Sequence, residues 1–193
     1  YNMKQLELSS ILKKYLEFFP EEKSRLEMLS NYIANNTISD LTDWNNFLGH
    51  IVTSGFVYSR ILKQFLVVYH KDLQQYLYPG GHMNKDDINT LEAAKREVRE
   101  ETGLTELQQV EILDNKLIPI DIDIHLIPCN ERLNLKEHYH FDFRYLFITD
   151  DTNINVDAEE LSCYKWVSLN ELNNFGPVKS KLKMLLSIDG KTR

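Results

Sequence analysis

Three glutamates near the middle of the chain, Glu97, Glu100 and Glu101, are spaced so that their carboxylates would share one face of a helix. Like charges at that spacing repel one another, and carboxylates in the last turns of a helix also face the negative end of its dipole. A bound cation would compensate both effects. Oxygen ligands in small number suit Mg²⁺ or Mn²⁺, which keep coordination positions free for water and substrate phosphate. A solvated, glutamate-rich helix face is the alternative interpretation.

The residues around these glutamates predict the helix that positions them. Apolar side chains recur on one face over residues 89–102, and Gly103 is the residue type expected in the left-handed position that ends a helix. Arg96 precedes Glu100 by four residues, so it can orient that carboxylate. The diglycine Gly80-Gly81 lies in the loop before the helix.

The stretch from Arg96 to Leu104 resembles the second half of the Nudix box, G-x5-E-x7-R-E-U-x-E-E-x-G-U with U apolar, at every specified position. The first half differs, because counting back from Arg96 puts Ile88 at the pattern's first glutamate. A one-residue insertion restores Gly81 as the pattern's glycine and puts Asp87 at the first glutamate. The resemblance therefore implies a longer loop and a shortened acid.

The resemblance extends over residues 50–190, and more weakly over the whole chain, and it points to a bacterial Nudix subgroup with a helical N-terminal extension. The segments that carry it outside the box are His50–Ser59, Tyr78–His82, Asp121–His125, His138–Tyr145 and Lys165–Val167. It implies a Nudix-type α/β/α sandwich with a mixed sheet. The implied activity is hydrolysis of a pyrophosphate bond in a nucleoside diphosphate linked to another group X.

The same resemblance implies a metal site. Its ligands would be three carboxylates and one carbonyl, from Glu97, Glu100, Glu101 and Gly80. Arg96 would complete the catalytic set. Mg²⁺ or Mn²⁺ held there would bridge the pyrophosphate, activate a water and stabilise charge on the leaving phosphate.

A second acidic cluster, residues 150–160, contains five acids and no base. Nudix proteins often draw a further catalytic acid from a later loop. The resemblance makes Glu160, six residues before Trp166, our candidate for that acid, with Glu159 second. A solvated turn is the alternative interpretation of this cluster.

All six histidines follow residue 49. His138 and His140 are two apart, so on a strand they share a face that Arg144 continues. Such a stripe could bind a phosphate or a base edge, with Arg144 making bidentate phosphate contacts. The candidate substrate-binding residues are Tyr78, His82, His138, His140 and Arg144. The histidine stripe could instead be a structural polar network, or a zinc site, although no H-x3-H or cysteine pair supports zinc. Tyr78 could instead belong to the plain sheet core.

Composition and charge limit the classes of function. The chain has 193 residues, of which 42% are hydrophobic and 26% charged, as in soluble globular domains. The net charge of −7 is concentrated in residues 86–101 and 150–160, which favours cation sites over a polyanion-binding surface. No apolar run reaches the ~18 residues of a membrane span, and no signal-peptide pattern opens the chain. Cys129 and Cys163 form no disulfide framework. We expect a cytoplasmic protein that binds a nucleotide-type small molecule and neither nucleic acid nor membrane.

Periodicity along the chain predicts an α+β domain with a mixed sheet over residues 47–193, preceded by a small helical extension, residues 1–46. The predicted helices cover residues 4–19, 20–35, 89–102 and 177–187, with short turns at 40–43 and 168–171. The predicted strands cover residues 51–58, 61–69, 76–78, 110–126, 138–148 and 164–167. No catalytic motif lies in residues 1–45, so we expect their removal to change substrate choice or oligomeric state rather than chemistry.

Two other functions compete with the hydrolase. A Nudix-fold sensor would bind a nucleotide without turnover, but it would not need three repelling carboxylates. An isomerase on the same fold, like isopentenyl diphosphate isomerase, would need a reactive cysteine beside an acid, and neither cysteine lies in such a motif. Nudix proteins commonly dimerise, so a homodimer is one assembly that the resemblance allows.

Overall fold

A computed structural model of the chain describes residues 3–112, 115–129, 135–172 and 178–189. Its helices are α1 (Met3–Phe18), α2 (Glu27–Asn35), α3 (Ile38–Leu41), α4 (Thr90–Thr102) and α5 (Val178–Asp189). Its strands are β1 (Gly49–Ser59), β2 (Gln64–His70), β3 (Gln75–Leu77), β4 (Gly80–His82), β5 (Gln108–Gln109), β6 (Asp121–Ile127), β7 (His138–Thr149) and β8 (Leu161–Val167). Short 3₁₀ turns lie at Pro20–Glu22 and Leu169–Glu171.

The eight strands form one mixed sheet built on a parallel pair, β1 and β7, which run together over the whole of β1. On the other side of β1, β4 pairs with Val52–Ser54 and β2 with Tyr58–Ser59. The outer side of β7 is shared in the same way by β6 and β5, while β2 also pairs with β3 and β8. The predicted α+β class with a mixed sheet and helices is confirmed.

Several predicted element bounds differ from the observed ones. The second strand begins at Gln64, because residues 60–63 form a turn in which Lys63 has φ 56°. The predicted continuous strand 110–126 is wrong. Asn115 closes a turn there by accepting a hydrogen bond from the Leu117 amide, so the strand starts only at Asp121. Residues 113 and 114 lie outside the described residues.

The predicted helix 20–35 is interrupted by a turn before Glu27, and the predicted short turn at 40–43 lies slightly earlier, as α3. Thr37 begins α3 with a reciprocal capping interaction with Asp40. Pro177, the predicted first residue of the last helix, lies outside the described residues. The helix itself is present as α5 from Val178.

Helix α4 is fixed at both ends and along its packed side. The Asn89 side chain caps its first turn, and Gly103, at φ 72°, ends it in the left-handed conformation that was predicted. Packing against β1 is close, since a Cβ on Gly55 would lie 2.5 Å from Cγ2 of Val98. Only glycine at position 55 leaves room for the helix to approach at this depth.

The hydrophobic core runs without a break from the N-terminal helices into the sheet. Leu12 and Leu29 are buried in the same cluster as Ile51 and Phe141. Tyr32 packs on Phe141 with ring centroids 4.9 Å apart, and its hydroxyl donates to the carbonyl of Gly49 at 2.6 Å. The geometry therefore argues that removing residues 1–45 would expose this core and unfold the domain, rather than change only its specificity or assembly.

A buried ionic network ties both ends of the described chain to β6. The Lys181 ammonium on α5 donates to Asp121 at 2.7 Å and to the Tyr15 hydroxyl at 2.7 Å, and it pairs with Glu22. The Tyr15 hydroxyl also donates to Glu22 and accepts from the Ile122 amide of β6. Tyr15, Asp121 and Lys181 are buried and Glu22 is half-buried, so the charges depend on their pairing.

Within the described ranges, no helix has both the length and the apolar composition that crossing a bilayer requires.

We predict that Leu12→Ala lowers the free energy of unfolding by about 2 to 5 kcal/mol, because it leaves a cavity in the shared core. Urea denaturation measures this change. The control is Leu6→Ala on the same helix, whose side chain is exposed and should cost no more than about 0.5 kcal/mol. Equal stability of the two variants would show that α1 does not belong to the core.

We also predict that Lys181→Met destabilises the fold by about 1 to 3 kcal/mol, since it removes a buried cation from Glu22 and Asp121, which keep Arg25 and Arg144 as charged partners. The matched control is Lys183→Met, an exposed lysine on the same helix. Thermal and urea unfolding of both variants measure the difference. A Lys181→Met protein as stable as the control would contradict the prediction.

Candidate active site

The short strand β4 lies directly against the carboxylates of α4. The amide of Gly80 donates to Oε2 of Glu101 at 3.1 Å. A Cβ on Gly81 would lie 2.5 Å from a carboxylate oxygen of Glu97, and one on Gly80 would lie 2.6 Å from Oγ of Ser54. Glycine at position 80 is therefore required for the strand to fit against β1, whereas a side chain at position 81 would displace the Glu97 carboxylate.

Glu101 is a buried acid that ionises with difficulty. Its residue is 8% exposed. Burial raises the pKa of Glu101 to about 8, the Gly80 hydrogen bond lowers it in part, and the charges of Glu97 and Glu160 raise it further. Burial likewise raises the pKa of Glu97. Both acids are therefore harder to ionise than a free glutamate, and a divalent cation beside them would favour their ionised forms.

The Arg96 guanidinium organises the acids around the helix. It forms a bidentate ion pair with Asp87, through Nε at 3.0 Å and Nη2 at 2.8 Å. Nη1 donates to Glu97 at 2.7 Å and to Glu100 at 2.9 Å, and Nη2 donates to the carbonyl of His82 at 2.9 Å. The hydrogen bonds with Asp87 raise the pKa of Arg96. Asp87 thus pairs with Arg96. Asp87 is also the residue that the one-residue insertion aligns with the first acid of the box.

The acids of α4 have the chemistry that Mg²⁺ or Mn²⁺ prefers, since every donor is an oxygen and two of them are buried acids with raised pKa values. Glu100 is the solvent-exposed acid of the three, with 57% of its side chain exposed. Among the described residues, the three carboxylates do not form a group whose ligand atoms all lie within 4.8 Å of one another. Arg96 holds Glu97 and Glu100 in the observed arrangement.

The loop before β8 brings Glu160 toward the same acids. Its backbone is anchored to the end of α4, because the amide of Asp157 donates to the carbonyl of Glu101 at 3.2 Å and that of Asn155 to Thr102 at 2.9 Å. The Glu160 carboxylate is close enough to raise the pKa of Glu101. Glu159 is exposed, and its carbonyl lies 3.4 Å from the Lys71 ammonium.

Arg144 lies on the sheet in a cluster of aspartates. Its side chain is 10% exposed, and its three nitrogens donate to Asp142 at 2.8 Å, Asp123 at 2.8 Å and Asp121 at 3.2 Å. Tyr78 lies across the guanidinium at 5.2 Å and donates to Asp142 at 3.3 Å. This arrangement matches the structural-network interpretation, and a role of Arg144 and Tyr78 in substrate binding stays a prediction.

The histidines form a second cluster. Nε2 of His82 lies 3.0 Å from Nε2 of His50, and Nε2 of His138 lies 3.3 Å from Nε2 of His140. The parallel register places His50 beside His140, with ring centroids 4.8 Å apart. Burial and then the neighbouring histidines lower the pKa of His50 to about 4 and that of His140 to about 2, so both rings are neutral at neutral pH.

The carboxylates of α4 and the histidine cluster lie on opposite faces of the sheet. Successive side chains of a strand alternate between faces. The Gly81 position faces Glu97 of α4, so the ring of His82 projects from the other face of β4. His140 and Arg144 share that second face, because they are separated by an even number of residues on β7.

One feature of the site was not predicted from the sequence. A cavity of about 550 Å³ opens between the N-terminal extension and the loop before α4, and its walls include Trp44, Asn84, Asp87 and Arg96. The Trp44 residue is 59% exposed, and its ring lies 6.1 Å from that of His82. Its position within a polar run, Asp-Trp-Asn-Asn, is the signal that could have identified it.

Comparisons with known proteins agree with this geometry. The model of the NUDIX domain matches residues 52–186. A curated relative from Lactococcus lactis subsp. cremoris (strain MG1363), the "Probable DHNTP pyrophosphohydrolase", is 40% identical over 78 residues. That match covers 40% of this chain and only 40% of the relative's own length.

Two solved structures are similar in fold. A NUDIX family hydrolase from Clostridium perfringens has a TM-score of 0.54 at 24% identity, covering 70% of this chain and 97% of its own. The E. coli dihydroneopterin triphosphate pyrophosphohydrolase has a TM-score of 0.54 at 13% identity, covering 71% and 95%. At these identities the likeness concerns the fold, and it confirms the predicted Nudix-type architecture. The NUDIX model matches most of the sequence, and α4 carries the second half of the Nudix box. The chain therefore belongs to the Nudix family.

Proposed function

We propose that this Nudix protein hydrolyses a pyrophosphate bond in a nucleoside diphosphate linked to another group X, with the help of Mg²⁺ or Mn²⁺. The proposed ligands are Glu97, Glu100, Glu101 and the carbonyl of Gly80. The observation that carries the proposal is the buried Glu101 carboxyl, whose pKa is raised to about 8 beside two further acids. A structural helix face would not need to bury that group. When bound, the ion supplies positive charge for the pyrophosphate and lowers the pKa of a bound water.

The residues of the chain have distinct tasks in this proposal. Glu101 and Glu97 provide the buried carboxylates, and Gly80 orients Glu101 by donating its amide. Arg96 holds Glu97 and Glu100 in place and attaches the loop before α4 through Asp87. Glu160 adds negative charge near Glu101, and as a carboxylate it could accept a proton from the attacking water.

The cavity beside Arg96 is the place we propose for the group X or the base. Its volume, about 550 Å³, is in the range of small-molecule sites. The exposed face of Trp44 can stack on a planar ring. The curated relative is named for DHNTP, and we include dihydroneopterin triphosphate among the candidate substrates for that reason. Contacts of His82, His138 and His140 with substrate stay a prediction.

The alternatives receive less support. For a sensor without turnover, the N-terminal helices would be the natural contact with a partner, yet they are packed into the domain core. For the isomerase, a cysteine would have to lie beside an acid. Both cysteines are exposed, and the Cys163 thiol contacts the hydroxyl of Tyr76 at 3.3 Å. The cytoplasmic location, the homodimer and the absence of a nucleic-acid partner stay predictions.

The experiment that tests the proposed function is a panel of phosphate and pyrophosphate release assays on the purified chain. The panel contains the common (d)NTPs, ADP-ribose, NAD, nucleotide sugars, dinucleoside polyphosphates and dihydroneopterin triphosphate. Each is assayed with Mg²⁺, Mn²⁺ or EDTA. We expect one substrate to be turned over with kcat/KM above ~10⁴ M⁻¹s⁻¹ and the turnover to stop in EDTA. Binding without turnover across the panel would favour the sensor.

We predict that Glu100→Gln and Glu101→Gln each lower kcat at least ~100-fold, because each removes an ionised oxygen ligand. The matched control is Glu92→Gln, in the first turn of the same helix, where the carboxylate pairs with Lys95 instead. Circular dichroism establishes that all three variants are folded. Retained activity in both ligand variants would refute the assignment of these glutamates.

We further predict that affinity for Mg²⁺ rises with pH and levels off above about pH 8. Burial holds the pKa of Glu101 at about 8, so at lower pH the ion must displace a proton from the carboxyl group. Calorimetric titrations in buffers of different protonation enthalpy measure the proton released. Glu101→Gln should reduce that release. A pH-independent affinity in the unaltered protein would contradict the assignment.

A further inference from the structure

Three histidines from three different strands converge on one point of the sheet. His50 lies on β1, His82 on β4 and His140 on β7. One ligand atom from each lies within 4.8 Å of the other two. The antiparallel pairing of β1 with β4 and the parallel pairing of β1 with β7 together bring the three imidazoles to this point.

The contacts inside this cluster are unusual for a structural polar network. Its closest contact joins two ring nitrogens, Nε2 of His50 and Nε2 of His82, at 3.0 Å. A neutral imidazole has one N–H and one lone pair, so two facing Nε2 atoms bond only if one ring adopts the tautomer that donates. A metal ion satisfies both lone pairs. In a tetrahedral site with Zn–N bonds of about 2.0 Å, ligand nitrogens are about 3.3 Å apart, close to the observed spacing.

Two histidines beside the cluster, His125 and His138, have a hydrogen-bond partner at Nδ1. Nδ1 of His138 lies 2.6 Å from the carbonyl of Lys136, which can only accept, so this nitrogen carries the proton. Nδ1 of His125 lies 3.0 Å from the carboxylate of Asp123. Both rings contact His140. Hydrogen bonds at Nδ1 of this kind fix the tautomer that leaves Nε2 with its lone pair.

We propose that His50, His82 and His140 bind one divalent transition-metal ion of the zinc class, at a site distinct from the glutamates of α4. Nitrogen ligands select Zn²⁺ and its neighbours over Mg²⁺, which prefers oxygen. Three protein ligands leave one position for water, as in open zinc sites. The ion joins β4 to β1 and β7, so it holds the strand whose backbone contacts Glu101 and Arg96.

The test is a titration of the full-length chain with Co²⁺, after removal of metals by a chelator and in the presence of excess Mg²⁺. Magnesium occupies oxygen-ligand sites, while Co²⁺ reports nitrogen ligation through its visible absorption. We expect one equivalent to bind with the intense bands of four- or five-coordinate cobalt, and Zn²⁺ to displace it. X-ray absorption of the zinc-loaded protein should show imidazole scattering.

The variant of choice is His82→Ala, because His82 is partly exposed and its loss leaves no large buried cavity. Replacing a residue that only hydrogen-bonds to a ligand lowers metal affinity by about 10- to 100-fold. Replacing a ligand should lower it more, so we expect His82→Ala to weaken Co²⁺ binding at least ~100-fold. His70→Ala is the matched control, a histidine at the end of β2 outside the cluster. Glu97→Gln should also leave Co²⁺ affinity unchanged.

Three results would overturn the proposal. The first is the absence of visible cobalt bands in the unaltered protein under these conditions. The second is equal Co²⁺ affinity of His82→Ala and His70→Ala. The third is a loss of Co²⁺ binding in Glu97→Gln, which would assign the ion to the carboxylates. The absorption spectrum of the unaltered protein decides the first of these without any variant, so the test does not depend on the folding of a mutant.

Discussion

The close approach of β4 to α4 is the constraint on which the rest of the structure depends. A strand of three residues lies against three ionisable groups of α4 that the proposed chemistry uses. The amide of Gly80 reaches Glu101, Gly81 leaves room for Glu97, and the carbonyl of His82 accepts from Arg96. A side chain at Gly80 would push the strand away from β1, and one at Gly81 would displace the Glu97 carboxylate. The second close approach, between Gly55 and Val98, sets the depth of α4 against the sheet.

The sheet separates two kinds of ligand chemistry. Carboxylates gather on the face that carries α4, while imidazoles and the Arg144–aspartate cluster occupy the other face. The same short strand belongs to both, because alternate residues of β4 face opposite ways. A hard, oxygen-preferring ion and a borderline, nitrogen-preferring ion could therefore act within one domain without competing for ligands.

The local signals of the box helix were read correctly from the sequence, while those of residues 110–120 and the contacts that depend on strand register were not. The limits of α4 followed from its apolar face and Gly103, and the position of Asp87 followed from counting along the box. The three-aspartate environment of Arg144 could not be predicted, because it depends on the register between β6 and β7. The same is true of the histidine cluster, which needs the β1–β7 register to bring His50 beside His140. The role of the extension in the core also escaped, since amphipathic helices do not reveal what they pack against.

The ionic network around Lys181 bears on the order in which the chain can fold. Glu22 and Tyr15 are synthesised early, Asp121 in the second half, and Lys181 near the end of the described chain. Since domains form on the ribosome from the N-terminus onward, Lys181 can join this network only once α5 has emerged. The hydroxyl of Tyr15 and the ammonium of Lys181 are separated by 166 residues, so closing this contact carries a large loop entropy. The contact between α1 and α5 is therefore among the last to form.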